Sequence, residues 1–220
     1  RTRWRVTPDD LWEAAHYRRV ERVMEHCLEV TEQPAAPWHL VDGTDRQHRA
    51  LEVGKVLLAG IEGRIARPRS RAETIGRIAA SRARKFAKLP TSHRGVRVAE
   101  EDYESGLEEL QGRLALLSRR HRFAKHSVVV AFEGMDAGGK GGAIRRITAA
   151  LDARQYRVVP ISAPSAEEIA RPYLWRFWFH LPPRGNYTIF DRSWYGRVLV
   201  ERVRGFAAKT DWQRAYEEIN

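Results

Sequence analysis

Gly134, Gly139 and Lys140 stand in the spacing G-x-x-x-x-G-K, directly after the apolar run "VVVAF" (128–132) and directly before an amphipathic pattern. That context aims loop amides and a helix N-terminus at phosphate oxygens, and the lysine adds a compact positive charge. Further glycines at Gly138, Gly141 and Gly142 let the backbone approach an anion with no Cβ in the way. Loops of this kind usually carry Ser or Thr after the lysine to hold a metal, and here that position is Gly141. A metal must therefore take its oxygens from elsewhere. Asp136 lies inside the loop, where its carboxylate would repel phosphate unless a cation sat between the two, and Mg2+ resolves that conflict. The second carboxylate is Asp191, at the end of the apolar stretch "TIF", a strand end of the kind where ligands bind in parallel sheets. Together these residues can carry magnesium-assisted phosphoryl transfer. Against that stands a plainer reading, with Asp136 as a turn-former and Asp191 as a helix cap.

Asp191 is followed by Arg192, Arg197, Arg202 and Arg204. If 194–206 is helical, Arg197, Glu201 and Arg204 share one face while Leu199, Val203 and Phe206 share another. Such a face either presents arginines toward phosphate or is merely solvated, and spacing does not choose. Arg145 and Arg146, one turn into the helix after the loop, pose the same choice. Tyr173, Trp175, Phe177, Trp178 and Phe179 could stack a nucleobase, although neighbouring aromatics on a helix more often fill a core. His16, His26, His93 and His180 have no spacing that favours a metal site.

The elements that must hold these residues alternate as βαβαβ with a parallel sheet: strand 127–132, helix 139–151, strand 156–162, an aromatic helix at 166–180 and strand 187–191. Upstream, Tyr103, Leu107, Leu110, Leu114 and Leu117 step by four and three as an amphipathic helix leading into the first strand. Further upstream, Thr7-Pro8-Asp9-Asp10 opens a helix of about 22 residues. Pro34 and Pro37 stop it, "PWHLV" (37–41) is strand-like, and Asp45 opens a second helical pattern through Leu51, Leu58, Ile61 and Ile65. No internal repeat is visible.

The chain has 220 residues, 43% of them hydrophobic and 30% charged, which suits one or two globular domains. No window reaches the roughly 18 uninterrupted apolar residues of a membrane span. Arg1-Thr2-Arg3-Trp4 is neither a signal peptide nor an initiator start, so the natural N-terminus is expected to lie further upstream. With Cys27 as the lone cysteine, no internal disulfide can form and a cytoplasmic setting is expected. The net charge of +11 would ordinarily suggest a polyanion as partner, but the stretch from Arg64 to Arg97 holds nearly all of it, with eleven Lys or Arg against the single acid Glu73. That stretch is either a solvated linker or an electrostatic guide for a long polyanion; in the second case Arg82, Arg84, Lys85 and Lys88 matter most at low salt.

Three strings, "EGMDAGGKGGAIRRIT" (133–148), "YLWRFWFHLPPRG" (173–185) and "IFDRSWYGRVLVERVRGF" (189–206), resemble the core of the polyphosphate kinase 2 family, whose members move phosphate between inorganic polyphosphate and nucleotides. The resemblance implies an α/β fold with a P-loop kinase-like three-layer core. It further implies that Asp136 and Lys140 serve in the loop, that Asp191 is the metal-linked carboxylate, that Arg192 holds phosphate, and that Arg197, Arg202 and Arg204 belong to or lead into a lid.

The leading strings "RWRVTPDDLWEAAHYRRV" and "TEQPAAPWHLVDGTDRQHRALEV" are similar to the closing segment of such a core. A tail before a head is the order expected of tandem members, which resemble polyphosphate:AMP phosphotransferases. Residues 1–65 would then close a first copy, 66–100 would be a basic linker, and 101–220 would begin a second copy that bears the loop. The expected reaction is Mg2+-dependent transfer from polyphosphate to AMP, giving ADP. Alternatives are a polyphosphate-dependent nucleoside diphosphate kinase and a non-catalytic polyanion-binding module. Nucleic acid and membrane are not expected as partners, and a homo-oligomer is left open.

Overall fold

The computed structural model describes residues 7–33, 36–66 and 97–220. Most of the basic stretch, including Arg82, Arg84, Lys85 and Lys88, lies outside the described residues, as does Pro34.

Thr7 and Asp10 form a capping box around Pro8, each side chain answering the other's backbone N–H, and this starts α1 (Pro8–Ala15). The long helix expected from Thr7 onward is in fact two. His16 leaves helical geometry (φ −111°, ψ 17°), its ring Nδ1 meets the Trp12 carbonyl at 2.9 Å, and α2 (Tyr17–Thr31) begins anew. At the other end the Thr31 hydroxyl donates to the Cys27 carbonyl and accepts from Trp38 Nε1. "PWHLV" is therefore no strand: it has no ladder partner, and Trp38 is anchored by its indole and by its backbone N–H to Glu32. Asp45 Oδ1 accepts from the amides of Gln47 and His48, opening α3 (Arg46–Ala66).

Next come α4 (Glu100–Ser118), β1 (Val128–Phe132), α5 (Lys140–Thr148), β2 (Tyr156–Pro160), the short α6 (Ala166–Ile169) and α7 (Trp175–Trp178), β3 (Tyr187–Asp191), a 3-10 turn at Trp194–Arg197, α8 (Val200–Arg204) and α9 (Lys209–Ile219). The three strands are all parallel in the order β1-β3-β2, and the register sets Asp191 opposite both Phe132 and Pro160. Their C-terminal ends thus share one edge, where the loop after β1 meets the turn after β3. Central β3 is buried over Tyr187–Phe190, as a strand covered on both faces must be.

Alternate side chains of β3 feed two cores, the period-two consequence of a pleated strand. Tyr187 and Ile189 meet Leu58 and Ile61 of α3, Leu114 and Leu117 of α4, and Ile144 and Ile147 of α5. Phe190 instead packs with Val159 and Phe177. Helical layers on both faces of a parallel sheet give the three-layer α/β architecture expected from the sequence. Full burial of a side chain such as Ile189 is worth about 1.5–3 kcal/mol. A third cluster joins Cys27 of α2 to Tyr195, Val198, Leu199, Ala215 and Tyr216, so the leading segment packs against the loop-bearing one through two separate cores.

Two other expectations change. The aromatic helix at 166–180 is broken by Pro172, whose missing N–H and bulk turn the chain before α7. Phe177 is buried, whereas Trp178 and Phe179 are exposed. The helix expected at 194–206 is a 3-10 turn and a short helix separated at Leu199 (φ −101°, ψ −83°), and Phe206 lies on the surface while Leu199 and Val203 are buried.

Candidate active site

β1 delivers Glu133 and then the loop Gly134–Gly139 to the C-terminal sheet edge. Left-handed backbone at Ala137 (φ 62°) and Gly139 (φ 84°) folds the loop back onto the start of α5. For alanine that geometry is a strained one, and such outliers gather at ligand sites. Gly138 N–H donates to the Met135 carbonyl at 3.1 Å, and Lys140 Nζ arches over the loop to donate to the Gly134 and Met135 carbonyls, both at 2.9 Å. A Cβ at Gly141 would meet nothing within 4 Å, so space does not forbid a hydroxyl side chain there.

β3 delivers the opposing half. Arg192 follows Asp191 in left-handed backbone (φ 66°), its N–H donates to the Phe132 carbonyl, and its guanidinium pairs with the Asp136 carboxylate. The plainer reading of Asp191 as a cap fails, since Ser193 caps the following 3-10 turn; Asp136 does stand in a turn, closed by the Gly138 N–H on the Met135 carbonyl, and its carboxylate pairs with Arg192. The Asp191 carboxylate makes no hydrogen bond or ion pair among the described residues. Asp136, in the loop after β1, and Asp191, at the end of neighbouring β3, are oxygen donors at one sheet edge; magnesium takes one or two carboxylates and fills its remaining positions with phosphate oxygens and water. Among the described residues no cluster of three or more His, Cys, Asp or Glu could hold a metal without such help.

Glu133 was not among the residues singled out from sequence, and it ties the two halves together. Its Oε1 accepts from both the backbone N–H (2.8 Å) and the hydroxyl (2.7 Å) of fully buried Ser193. Burial pushes its carboxyl above the usual range, opposed by the Ser193 hydrogen bonds and by the nearby charges of Lys140 and Arg192. The available signal was an acid between an all-apolar strand and the first loop glycine. The leading segment also reaches the loop: Glu13 of α1 accepts from the Asp136 N–H at 3.2 Å.

The other arginines singled out from sequence make no contact with Asp136, Lys140 or Asp191 among the described residues, although Arg204 lines a cavity with Gly134, Met135 and Arg192. Arg197 pairs with Glu201 at 2.7 Å and lies 4.1 Å over the Tyr173 ring, whose hydroxyl accepts from the Arg197 N–H and donates to the Trp194 carbonyl. Arg202 lies over Trp212 and donates to the Tyr216 hydroxyl. Arg204 covers Trp12 and pairs with Asp9, clamping α1 beside α8. Arg146 is committed to the Gly142 carbonyl and the Tyr103 hydroxyl, while Arg145 is exposed. Lys140, Asp136, Asp191 and Arg192 are brought together; Arg197 and Arg202 are not brought to them in this conformation.

The Polyphosphate kinase 2 (PPK2) family profile matches residues 1–68 and 97–220. The chain belongs to the polyphosphate kinase 2 family. Polyphosphate:AMP phosphotransferases of Pseudomonas syringae pv. tomato and Pseudomonas aeruginosa are each 48% identical over 99% of the chain, which spans 44% of each relative's length. An ADP-polyphosphate phosphotransferase 2 of Rhizobium meliloti is 44% identical over 54% of the chain and 39% of its own length. The crystal structure of a polyphosphate kinase 2 from Pseudomonas aeruginosa PA01 superposes with a TM-score of 0.58 at 47% identity, covering 97% of this chain and 43% of that one. As in other polyphosphate kinase 2 proteins, the parallel sheet and loop form a P-loop kinase-like α/β core. No helix among the described residues is long and apolar enough to cross a membrane.

Proposed function

We propose that this chain carries the phosphoryl-transfer site of a cytoplasmic, magnesium-dependent enzyme that moves phosphate from inorganic polyphosphate to AMP, giving ADP. The observation that carries the reading is the meeting of Lys140, Asp136, Asp191 and Arg192 at one sheet edge, tied by the Arg192–Asp136 pair and the Glu133–Ser193 bonds. Amides of the loop, with Gly134, Gly138, Gly139, Gly141 and Gly142 keeping it bare of side chains, bind the oxygens of the terminal phosphoryl. Lys140 exchanges its two carbonyl contacts for that phosphate, and Arg192 turns from Asp136 to the charge that develops in transfer. Asp136 and Asp191 hold the magnesium, which when bound neutralises charge on the polyphosphate oxygens. One oxygen of the AMP α-phosphate then forms a bond to the terminal phosphorus as the bond to the polyphosphate bridging oxygen breaks.

In this reading residues 1–65 close a first domain, 66–100 link, and 101–220 open the domain that bears the loop. Arg197 and Arg202 reach phosphate only if α8 and the turn before it move as a lid.

AMP is the preferred acceptor in this proposal, supported by the relatives that match nearly the whole chain, which are phosphotransferases to AMP, while the ADP-directed relatives match about half of it. The physical content is distance: ADP would displace its attacking oxygen by about one phosphate from the line to the held phosphoryl, and misalignment on that scale costs about a hundredfold or more in rate. Full-length protein given polyphosphate, magnesium and either nucleotide should turn AMP into ADP well before it turns ADP into ATP. Faster consumption of ADP overturns the acceptor assignment and leaves phosphoryl transfer standing.

A further inference from the structure

We infer that Arg49, from the leading segment, is a substrate-contacting residue that binds a phosphate oxygen of the bound polyphosphate at the flank of the loop; this rests on the phosphoryl-transfer reading above. Arg49 sits in the first turn of α3, whose position is fixed at one end by the Asp45 cap and at the other by Leu58 and Ile61 in the core shared with α5. Its guanidinium lies against Gly139, where a Cβ would overlap it, and Nη2 is 3.9 Å from where a Cβ of Gly142 would stand. The turn before α3 seats against the same loop, with the Cβ position of Gly43 only 3.2 Å from the Gly138 carbonyl oxygen.

Nη1 donates to the Gly43 carbonyl at 2.6 Å. Nε and Nη2 meet no acceptor among the described residues, and Arg49 forms no ion pair with an acid among them. Its neighbours differ on this point. Arg146 is spent on Gly142 and Tyr103, and Arg192 on Asp136. Arg49 therefore brings unspent, fork-shaped donors to a place already positive from the start of α5 and from Lys140. Positive groups gathered at one place are unfavourable in isolation and become favourable once a multiply charged anion joins them. A polyphosphate chain, with a charge on every residue, extends past the phosphoryl held in the loop and supplies such an oxygen.

Calorimetric titration of the full-length protein with inorganic tripolyphosphate tests this, using the parent, Arg49→Met and Arg49→Lys over a range of salt concentrations. Arg49→Met should bind about ten- to a hundredfold more weakly, as loss of a charge-assisted hydrogen bond implies. Arg49→Lys should recover part of the loss, because it restores charge without the fork. The slope of log affinity on log salt should also be shallower by about one ion in Arg49→Met, a readout that a merely structural role would not move. The thermal midpoint should stay at the parent value. Parent-like affinity and slope in Arg49→Met, or weakened affinity with a parent-like slope and a lowered midpoint, overturns the inference alone. Failure of the parent itself to bind tripolyphosphate overturns both the inference and the reading it rests on.

Discussion

Replacing Lys140 by Met in the full-length protein should lower turnover by about a hundred- to a thousandfold while leaving the fold in place. The size follows from removing a preorganised positive charge from the position where transition-state charge develops. In the ligand-free arrangement Lys140 makes two charge-assisted hydrogen bonds, to the Gly134 and Met135 carbonyls, each worth about 1.5–3 kcal/mol. No core cluster contains Lys140, so circular dichroism should match that of the parent while the unfolding midpoint falls by several degrees. Near-parental turnover in a folded Lys140→Met protein would remove the loop from the reaction.

A second large effect is expected at the two aspartates. Asp191→Asn keeps the size of a side chain that has no partner among the described residues, so it should leave stability nearly unchanged. It should raise the magnesium concentration needed for half-maximal rate by about tenfold or more, and lower the rate at saturating metal about a hundredfold. Asp136→Asn should show the same shift in metal requirement and in addition release Arg192, whose guanidinium is held by Asp136. An unchanged magnesium requirement in both variants would sink the assignment of these carboxylates to the metal, whatever happened to the rate.

The loop and its two flanking strands were legible because their signals are local. An all-apolar run, a glycine pattern and an amphipathic helix in succession admit few folds, and the apolar "TIF" ending in Asp191 marks a central strand. The pairing of Asp136 with Arg192 and the bridging of Glu133 to Ser193 were not legible, because each joins residues more than fifty positions apart that only the β1–β3 register brings together. Arg49 was missed for the same reason: its sequence neighbourhood is an ordinary helix start, and its meaning comes from Gly139 across the fold. The broken helices had local causes that periodicity overrode. Pro172 was visible in the sequence, but the departure at His16 depends on its ring meeting the Trp12 carbonyl. "PWHLV" reads as a strand by composition and has no ladder to join, since strand propensity becomes structure only against a neighbouring edge. Phe206, assigned to the apolar face by spacing, follows a helix that ends at Arg204 and so never shares that face.

The central claim is that phosphate passes directly from polyphosphate to AMP at the cleft of Lys140, Asp136, Asp191 and Arg192. Its most direct measurement is to incubate the full-length protein with radiolabelled polyphosphate, unlabelled AMP and magnesium, and to locate the label. The label should appear in the β-phosphate of ADP, and Lys140→Met, while still folding, should slow that transfer about a hundred- to a thousandfold. Label that stays in polyphosphate, or that appears only as free inorganic phosphate with no labelled ADP, would contradict the account.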